Sequence, residues 1–472
     1  MADKSAKSDP IEYFWRWVED RTGLRRLILK PQPEFTLFNS HYWLGALAVV
    51  AFALQAVTGF LLMMNYVPLY QTTATGANNL AWQSVNYIIT KVPFGALIAT
   101  MHLYGAYAMI LIAFLHLVRN YFSGSFKKPR ELMWLLGMGL GVITLTYGFT
   151  GYLLPMNTIS YGATSVGVQL ASYFPGWIGK VIPSLLKGTT FPDSTLNRFF
   201  AFHVVLLPIA FLAILGLKIG VVFEAHGAHG PMEVSPVRGP RRRSVNWYPR
   251  LIWYSIMMSL GYLAALLVVS SIFPISAGTE YTGGQLGGNI IPDWYFVWTD
   301  IILRASFFSN QYVLDGLLFM LGIVVILVFI PWIDRSKATH PAQRPLMTLL
   351  FTAMLSELFA LNAYGYLTPS AVEIGGVGDI LTIFVAVPLS VLVGGLAIYR
   401  FSSAYKVNEG KLWAIRPDWR LSDYATVSKG SDTDASAYGQ VDSEGGKKLA
   451  VPTDAVPTDA VPTDAVPTDQ AS

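Results

Sequence analysis

Eight stretches of the chain run apolar for more than twenty residues each: 42–64, 95–118, 132–154, 199–222, 251–272, 313–333, 345–366 and 378–400. About 20 such residues in a helix cross the hydrocarbon layer of a bilayer. Each stretch is then helical, because lipid offers the backbone no hydrogen-bond partner. The pattern predicts an all-α membrane protein with eight transmembrane helices. Composition agrees: 53% of the 472 residues are hydrophobic and 13% are charged, where a soluble domain carries about 25%. A soluble globular enzyme is excluded.

An even number of spans puts both termini on one side. Lys and Arg number 7, 4, 5 and 3 in segments 1–41, 119–131, 223–250 and 334–345, against 1, 3, 1 and none in 65–94, 156–198, 273–312 and 366–377. That asymmetry, 19 to 5, predicts a multi-pass protein with both termini cytoplasmic. Residues 10–30 mix Trp, Phe and Leu with Arg and Glu, and read as an amphipathic helix on the inner surface. Ala450 to Asp469 repeats AVPTD four times and cannot pack a core, so residues 423–472 read as a disordered tail. The external loops 155–198 and 273–312 are too long for simple connections.

Charge and cysteine narrow the chemistry. The net charge is +4 with no basic stripe outside the loops, so a nucleic-acid partner is not expected. The absence of cysteine excludes thiolate metal sites, iron–sulfur clusters and cysteine-linked haem from this chain. No apolar signal region opens the sequence.

Of the seven histidines, His102, His116 and His203 fall inside spans, where ionisable groups are costly and functional by default. His41 and His340 are assigned no function. His102 and His116 are 14 residues apart, nearly four helical turns, so they share a face about 21 Å apart. A single intramembrane histidine is often a packing residue, but two on one face suit two cofactors stacked across the membrane. Gly45 and Gly59 in the first span, and Gly137 and Gly151 in the third, repeat the same 14-residue step. Glycine costs a helix about 1 kcal/mol relative to alanine. Close helix packing is one reason for it. Room for a flat macrocycle at two depths is the other, and the shared step favours it.

At this point the sequence resembles cytochrome b, the membrane core of quinol-oxidising cytochrome bc complexes, over about residues 10–400. The resemblance rests on WRWVEDRTG at 15–23, the glycine pairs, His102, His116 and Arg119, PRELMW at 129–134, GYLLP at 151–155, RFFAFH at 198–203, PDWYFVW at 292–298 and IPWIDRS at 330–336. RELMW, and a proline five residues after His203, are most similar to the chloroplast type, which is normally split into two chains. The resemblance implies a four-helix bundle (42–222) holding two non-covalent haems, followed by a cytoplasmic loop (223–250). It further implies a C-terminal four-helix part with a quinol-site loop (251–400) and a cytoplasmic tail (401–472). His102 and His203 would ligate the outer haem, His116 and a second residue on the fourth span the inner one. Arg119 would pair with an inner-haem propionate. Haem b is the family default, with an a-type ring as the alternative.

Several positions depart from the family. Its fourth ligand stands 14 or 15 residues after the first histidine of the fourth span; here those residues are Leu217 and Lys218. Two readings stand: Lys218 ligates the inner iron through a neutral amine, or it snorkels to the cytoplasmic surface. Ala99 replaces an arginine expected near the outer haem, Asp293 replaces a glutamate in PDWY, Asp300 replaces an aromatic, and Met156 replaces a tryptophan.

The resemblance implies that quinol is oxidised near the outer face, with Asp293 as proton acceptor and Tyr295 and Tyr152 shaping the pocket. Without the resemblance, PDW reads as a helix start with Asp at the N-cap. One electron would pass to a Rieske iron–sulfur partner and on to a downstream cytochrome, copper protein or terminal oxidase. The other would cross through the two haems to an inner quinone site, where His226 and His229 are candidates or else belong to a solvated HGAHGP loop. Glu357 is a further intramembrane carboxylate, for proton conduction or hydrogen-bonded packing. A homodimer in a prokaryotic plasma membrane completes the expectation. The rivals are a dihaem membrane anchor serving a dehydrogenase, against which the PDWY loop argues, and a transporter, for which no internal repeat is seen outside the tail.

Overall fold

The computed structural model describes residues 43–73, 76–188, 192–223, 252–284, 290–308, 312–336, 338–368 and 377–402, with a few isolated positions besides. All of these lie within Met1–Val427. Most of 10–30, His41, His226, His229 and the repeat tail lie outside the described residues.

Among the described residues, eight helices are long and apolar enough to cross a membrane. In chain order the elements are β1 Pro31–Pro33, α1 Leu44–Met63, β2 Tyr70–Thr73, β3 Gly76–Asn79, α2 Leu80–Lys91, α3 Gly95–Phe122, α4 Glu131–Leu153, α5 Thr158–Leu170 and α6 Ile178–Lys187. There follow α7 Asp193–Gly220, β4 Ser244–Asn246, α8 Ile252–Ile272, α9 Val297–Arg304, α10 Val313–Ile333, α11 Pro345–Leu367 and α12 Asp379–Phe401. The strands form two small antiparallel pairs, β1 with β4 and β2 with β3. The eight long helices match the eight apolar stretches to within a few residues at most ends.

Two differences have physical causes. Helix α3 continues to Phe122, four residues past the apolar stretch, so Arg119 is helical and three residues from His116. Helix α7 starts at Asp193, with an acidic residue in its first turn where the helix dipole favours it. The long loops 155–198 and 273–312 carry structure of their own, namely α5, α6 and α9. Asn79 caps α2 by accepting from Trp82 N–H at 3.0 Å, and Asn157 caps α5 by accepting from Ser160 N–H at 2.9 Å.

Helix α1 packs along α3, α4 packs on α7, and α8 leans on α1 and α3. In the second half, α11 packs against α9 and α12. Tight clusters close both ends. Tyr70, Leu153, Met156, Leu196, Phe199 and Tyr281 pack where α3 begins. Tyr121, Phe126, Trp134, Ile330 and Phe351 pack where it finishes. A middle layer of Ala51, Met109 and Phe211 lies between them, with the Phe52 and Phe211 rings stacked at 4.2 Å.

Candidate functional site

Four side chains singled out on α3 and α7 lie against the four glycines singled out on α1 and α4. A Cβ built on Gly59 would stand 3.1 Å from His102 Cε1, and one on Gly151 would stand 2.7 Å from His203 Cε1. One tier down, a Cβ on Gly45 would stand 3.1 Å from His116 Cε1, and one on Gly137 would stand 2.8 Å from Lys218 Nζ. The glycines therefore make room for these side chains and not merely for a neighbouring backbone. Lys218 turns its amine toward α4, inside the bundle. The two tiers are separated by the Ala51, Met109 and Phe211 layer.

The first tier has the chemistry of a metal-binding imidazole pair. The His102 and His203 ring centroids are 6.3 Å apart. Two imidazoles sharing one metal through bonds of roughly 2 Å place their centroids about 6 Å apart. Thr58 Oγ1 lies 2.9 Å from His102 Nδ1, and Thr150 Oγ1 lies 3.1 Å from His203 Nδ1. Each threonine hydroxyl already donates to a helix carbonyl, Leu54 O at 2.8 Å and Thr146 O at 2.9 Å. Each therefore accepts from its histidine's Nδ1–H. The Nε2 lone pair is left for a metal, the usual outer-shell arrangement of ligating histidines. These residues fit a haem.

The second tier is built differently. The positions matching Thr58 and Thr150 are Leu44 and Leu136, each directly before its glycine. His116 Nδ1 is buried with no hydrogen-bond partner among the described residues. Lys218 and Arg119 are both within electrostatic reach of His116. Arg119 Nη1 donates to Asn120 Oδ1 at 2.8 Å and to Ser125 Oγ at 3.3 Å. An imidazole and an amine facing one space also fit a haem iron, provided the amine is neutral. Helix α7 departs from α geometry at both ligand candidates: Phe202–Leu206 and Lys218–Phe223 are π-helical.

Asp293 lies deeper than a loop residue ordinarily would. Tyr107 OH donates to its Oδ1 at 2.9 Å, and Tyr295 OH donates to its Oδ2 at 3.2 Å. Burial pushes the Asp293 carboxyl above the ordinary carboxylate range, although both hydrogen bonds pull the other way. Burial, followed by the Asp293 charge, pushes the Tyr295 hydroxyl up as well. Tyr152 is within electrostatic reach of Tyr295. The Tyr295 ring packs on Gly148, where a Cβ would stand 3.0 Å from it. Asp293 does not act as a helix N-cap: α9 begins at Val297, and Phe296 N–H donates to the Asp293 backbone carbonyl at 2.7 Å. Asp300 pairs with Arg304 at 3.1 Å, one helical turn on.

Four contributors were not singled out in the sequence. Thr58 and Thr150 carried a readable signal, since each precedes a cradle glycine. Gly148 and Tyr107 carried none, being one more glycine and one more aromatic in apolar helices.

At the opposite end the sequence motifs lock the helices together. Lys127 Nζ pairs with Asp334 Oδ1 at 2.8 Å, and Arg344 Nη1 pairs with Asp334 Oδ2 at 3.1 Å. Burial outweighs the Asp334 charge and lowers Lys127 to about 8. Trp134 Nε1 of PRELMW donates to Leu327 O at 2.8 Å. That carbonyl lies four residues before Pro331 of IPWIDRS, which has no N–H to offer it. His340 Nδ1 accepts from Ala342 N–H at 3.2 Å, capping a short turn. The carboxylate oxygens of Glu357 are buried and have no hydrogen-bond partner among the described residues, so the expected hydrogen-bonded packing role is not seen there.

Fold and site define a polytopic helical membrane protein with two tiers of facing nitrogen donors. Two family models match it, Cytochrome b(N-terminal)/b6/petB over residues 107–279 and Cytochrome b(C-terminal)/b6/petD over residues 287–386. A cytochrome bc complex cytochrome b subunit of Chlorobaculum thiosulfatiphilum is 33% identical over 374 residues, 76% of this chain and 82% of that protein. Cytochrome b6 of Heliobacterium mobile is 37% identical over 222 residues, 46% of this chain and 99% of that protein. A chain of a hyperthermophilic respiratory Complex III shares the fold, with a TM-score of 0.65 at 23% identity, covering 82% of this chain and all of that one. The chain belongs to the cytochrome b family.

Proposed function

We propose that the chain is the cytochrome b subunit of a quinol-oxidising bc-type respiratory complex. The observation that carries this reading is the set of four glycines, each faced by one nitrogen donor. His102 and His203 would hold one haem, and His116 and Lys218 would hold the other, with Arg119 beside the second. When bound, the two haems supply one-electron transfer across the membrane. The four glycines leave these ligand side chains room against α1 and α4. Thr58 and Thr150 hold the first pair of imidazoles in the ligating tautomer.

Asp293 takes the proton from the quinol hydroxyl, oriented by Tyr107 and Tyr295, while Tyr152 helps shape the pocket. A half-buried carboxyl above its ordinary range is a better match to a proton acceptor near neutral pH than an exposed one. The external acceptor of the first electron is a Rieske iron–sulfur partner, with a downstream cytochrome, copper protein or terminal oxidase beyond it. The second electron reaches a quinone at the inner face. The working unit is a homodimer in a prokaryotic plasma membrane, with the Lys127, Asp334 and Arg344 end cytoplasmic.

The test is quinol oxidation by the purified complex, wild type against Asp293→Asn. The reading expects a loss of about 100- to 10,000-fold, typical of removing a general base. It also expects a Rieske protein to co-purify. Unchanged turnover in Asp293→Asn would remove Asp293 from the reaction.

A further inference from the structure

Three of the four bundle helices carry their site residues at the same step. Gly45 to Gly59, His102 to His116 and Gly137 to Gly151 are each 14 residues. Fourteen residues at about 100° each stop about 40° short of four turns, so two tiers built on this step stay in register. His203 to Lys218 is 15 residues. In an unbroken α-helix the extra residue turns Lys218 about 100° away and brings Leu217 to the matching position. The structure has the opposite arrangement. Lys218 Nζ faces Gly137, and Leu217 is 43% exposed.

The extra residue is absorbed in one place. Phe202–Leu206 is π-helical, and Leu207 N–H donates to Phe202 O, five residues back. Such a turn holds one residue more than an α-turn. Nearly all of it lies on the Lys218 side of His203. The second π-segment begins at Lys218 and leaves the step unaffected.

Pro208 stands two residues after the wide turn. Its ring collides with the carbonyl four residues back in α geometry, and it has no N–H to satisfy that carbonyl. The same pairing recurs in α12, where the π-segment Thr382–Ala386 ends two residues before Pro388 and Val387 N–H donates to Thr382 O. Pro331 in α10 shows the other solution. No π-segment precedes it, and the carbonyl it leaves unmatched accepts from Trp134 Nε1.

We propose that Pro208 is a positioning residue for the second site: by imposing the π-turn after His203 it makes a 15-residue step equivalent to the 14-residue steps of the other helices and aims Lys218 at Gly137. The inference rests on the dihaem reading for its consequence, and on the backbone alone for its geometry. Without the wide turn, His203 and Lys218 cannot both keep their glycines. The Lys218 end is the one that moves, because Thr195, Leu196 and Phe199 at the other end are wholly buried, while Leu212, Leu217 and Ile219 are exposed.

Two readouts on the full chain test this. The first is the count of low-spin haems by EPR in wild type, Pro208→Ala, Lys218→Leu, and Pro208→Ala with Ala213 deleted. Pro208→Ala should lose one low-spin signal, as Lys218→Leu does, and the deletion should restore it by returning the step to 14. Two intact signals in Pro208→Ala, or a deletion that restores nothing while one signal persists, would overturn the proposal. The second readout needs no haem. A Cβ on Gly139 would stand 3.9 Å from Ile214 Cδ1, and the chain has no cysteine of its own. Gly139→Cys with Ile214→Cys should couple through a short bis-thiol linker, and Pro208→Ala should cut that coupling several-fold while raising it for Gly139→Cys with Ala213→Cys. An unmoved crosslink pattern would overturn the register claim. A shifted pattern with both haems retained in Lys218→Leu would instead sink the ligand reading and leave the register standing.

Discussion

At the scale of single residues, the two tiers differ in what stands behind the imidazoles. The first tier has threonine before each cradle glycine, and the second has leucine. A histidine that donates Nδ1–H to an oxygen is a more basic ligand and favours the oxidised metal. A haem held by the first tier would therefore have the lower potential of the two. Thr58→Val and Thr150→Val should each raise the first-tier midpoint and leave the other unchanged. Each tenfold change in preference between oxidation states moves a one-electron midpoint by about 59 mV. A redox titration in which both midpoints move together, or neither moves, contradicts this.

Asp293 gives the pH prediction at the same scale. Its carboxyl is held above the ordinary range by burial, so it stays protonated to higher pH than an exposed aspartate. As the proposed proton acceptor, it must be deprotonated for quinol to be oxidised. The rate should fall as pH drops through that raised pKa, and Asp293→Asn should leave a slow rate without that acidic limb. A wild-type profile flat across the acid side would argue against the assignment.

At the scale of elements, the end where α3 finishes is held by polar groups in a fully buried setting. Lys127 in the connection after α3, Asp334 after α10 and Arg344 before α11 share one carboxylate. Asp334→Ala leaves two buried cations facing each other and should destabilise by about 3–5 kcal/mol. Thermal unfolding in detergent measures it, and an unchanged midpoint would show that the cluster contributes nothing. Trp134→Phe leaves the Leu327 carbonyl unmatched and should cost about 1–3 kcal/mol by the same assay.

Much at this scale was legible beforehand. Each of the eight long helices announces itself as an apolar run, because crossing lipid demands both length and low polarity. His102 and His116 could be placed on one face from a count of 14. The facing of Lys218 could not, since a straight helix rejects the 15-residue step and the wide turn that admits it leaves no periodic signature. Pro208 was visible, but whether a helix proline kinks, widens its turn or borrows a donor, as Pro331 does from Trp134, depends on a neighbour that sequence order does not reveal. Tyr107 stayed hidden for a related reason: its partner Asp293 is 186 residues away.

At the scale of the whole molecule, the chain is a two-tier bundle closed at each end by a different kind of cluster. Where α3 begins, the packing is aromatic and apolar. Where α3 finishes, the packing is aromatic with a buried ion cluster. Between the two ends lie, in order, His102 and His203, the Phe52 and Phe211 layer, and His116 and Lys218. The account depends most on Lys218, because a lysine stands where the family's pattern places a haem ligand. The direct test is a redox-titrated visible and EPR spectrum of the purified chain, wild type beside Lys218→Leu. Two low-spin haems in wild type, with one lost or turned high-spin in the variant and the other unmoved, is the result expected. Two unchanged low-spin haems in Lys218→Leu, or no haem in wild type, would contradict it.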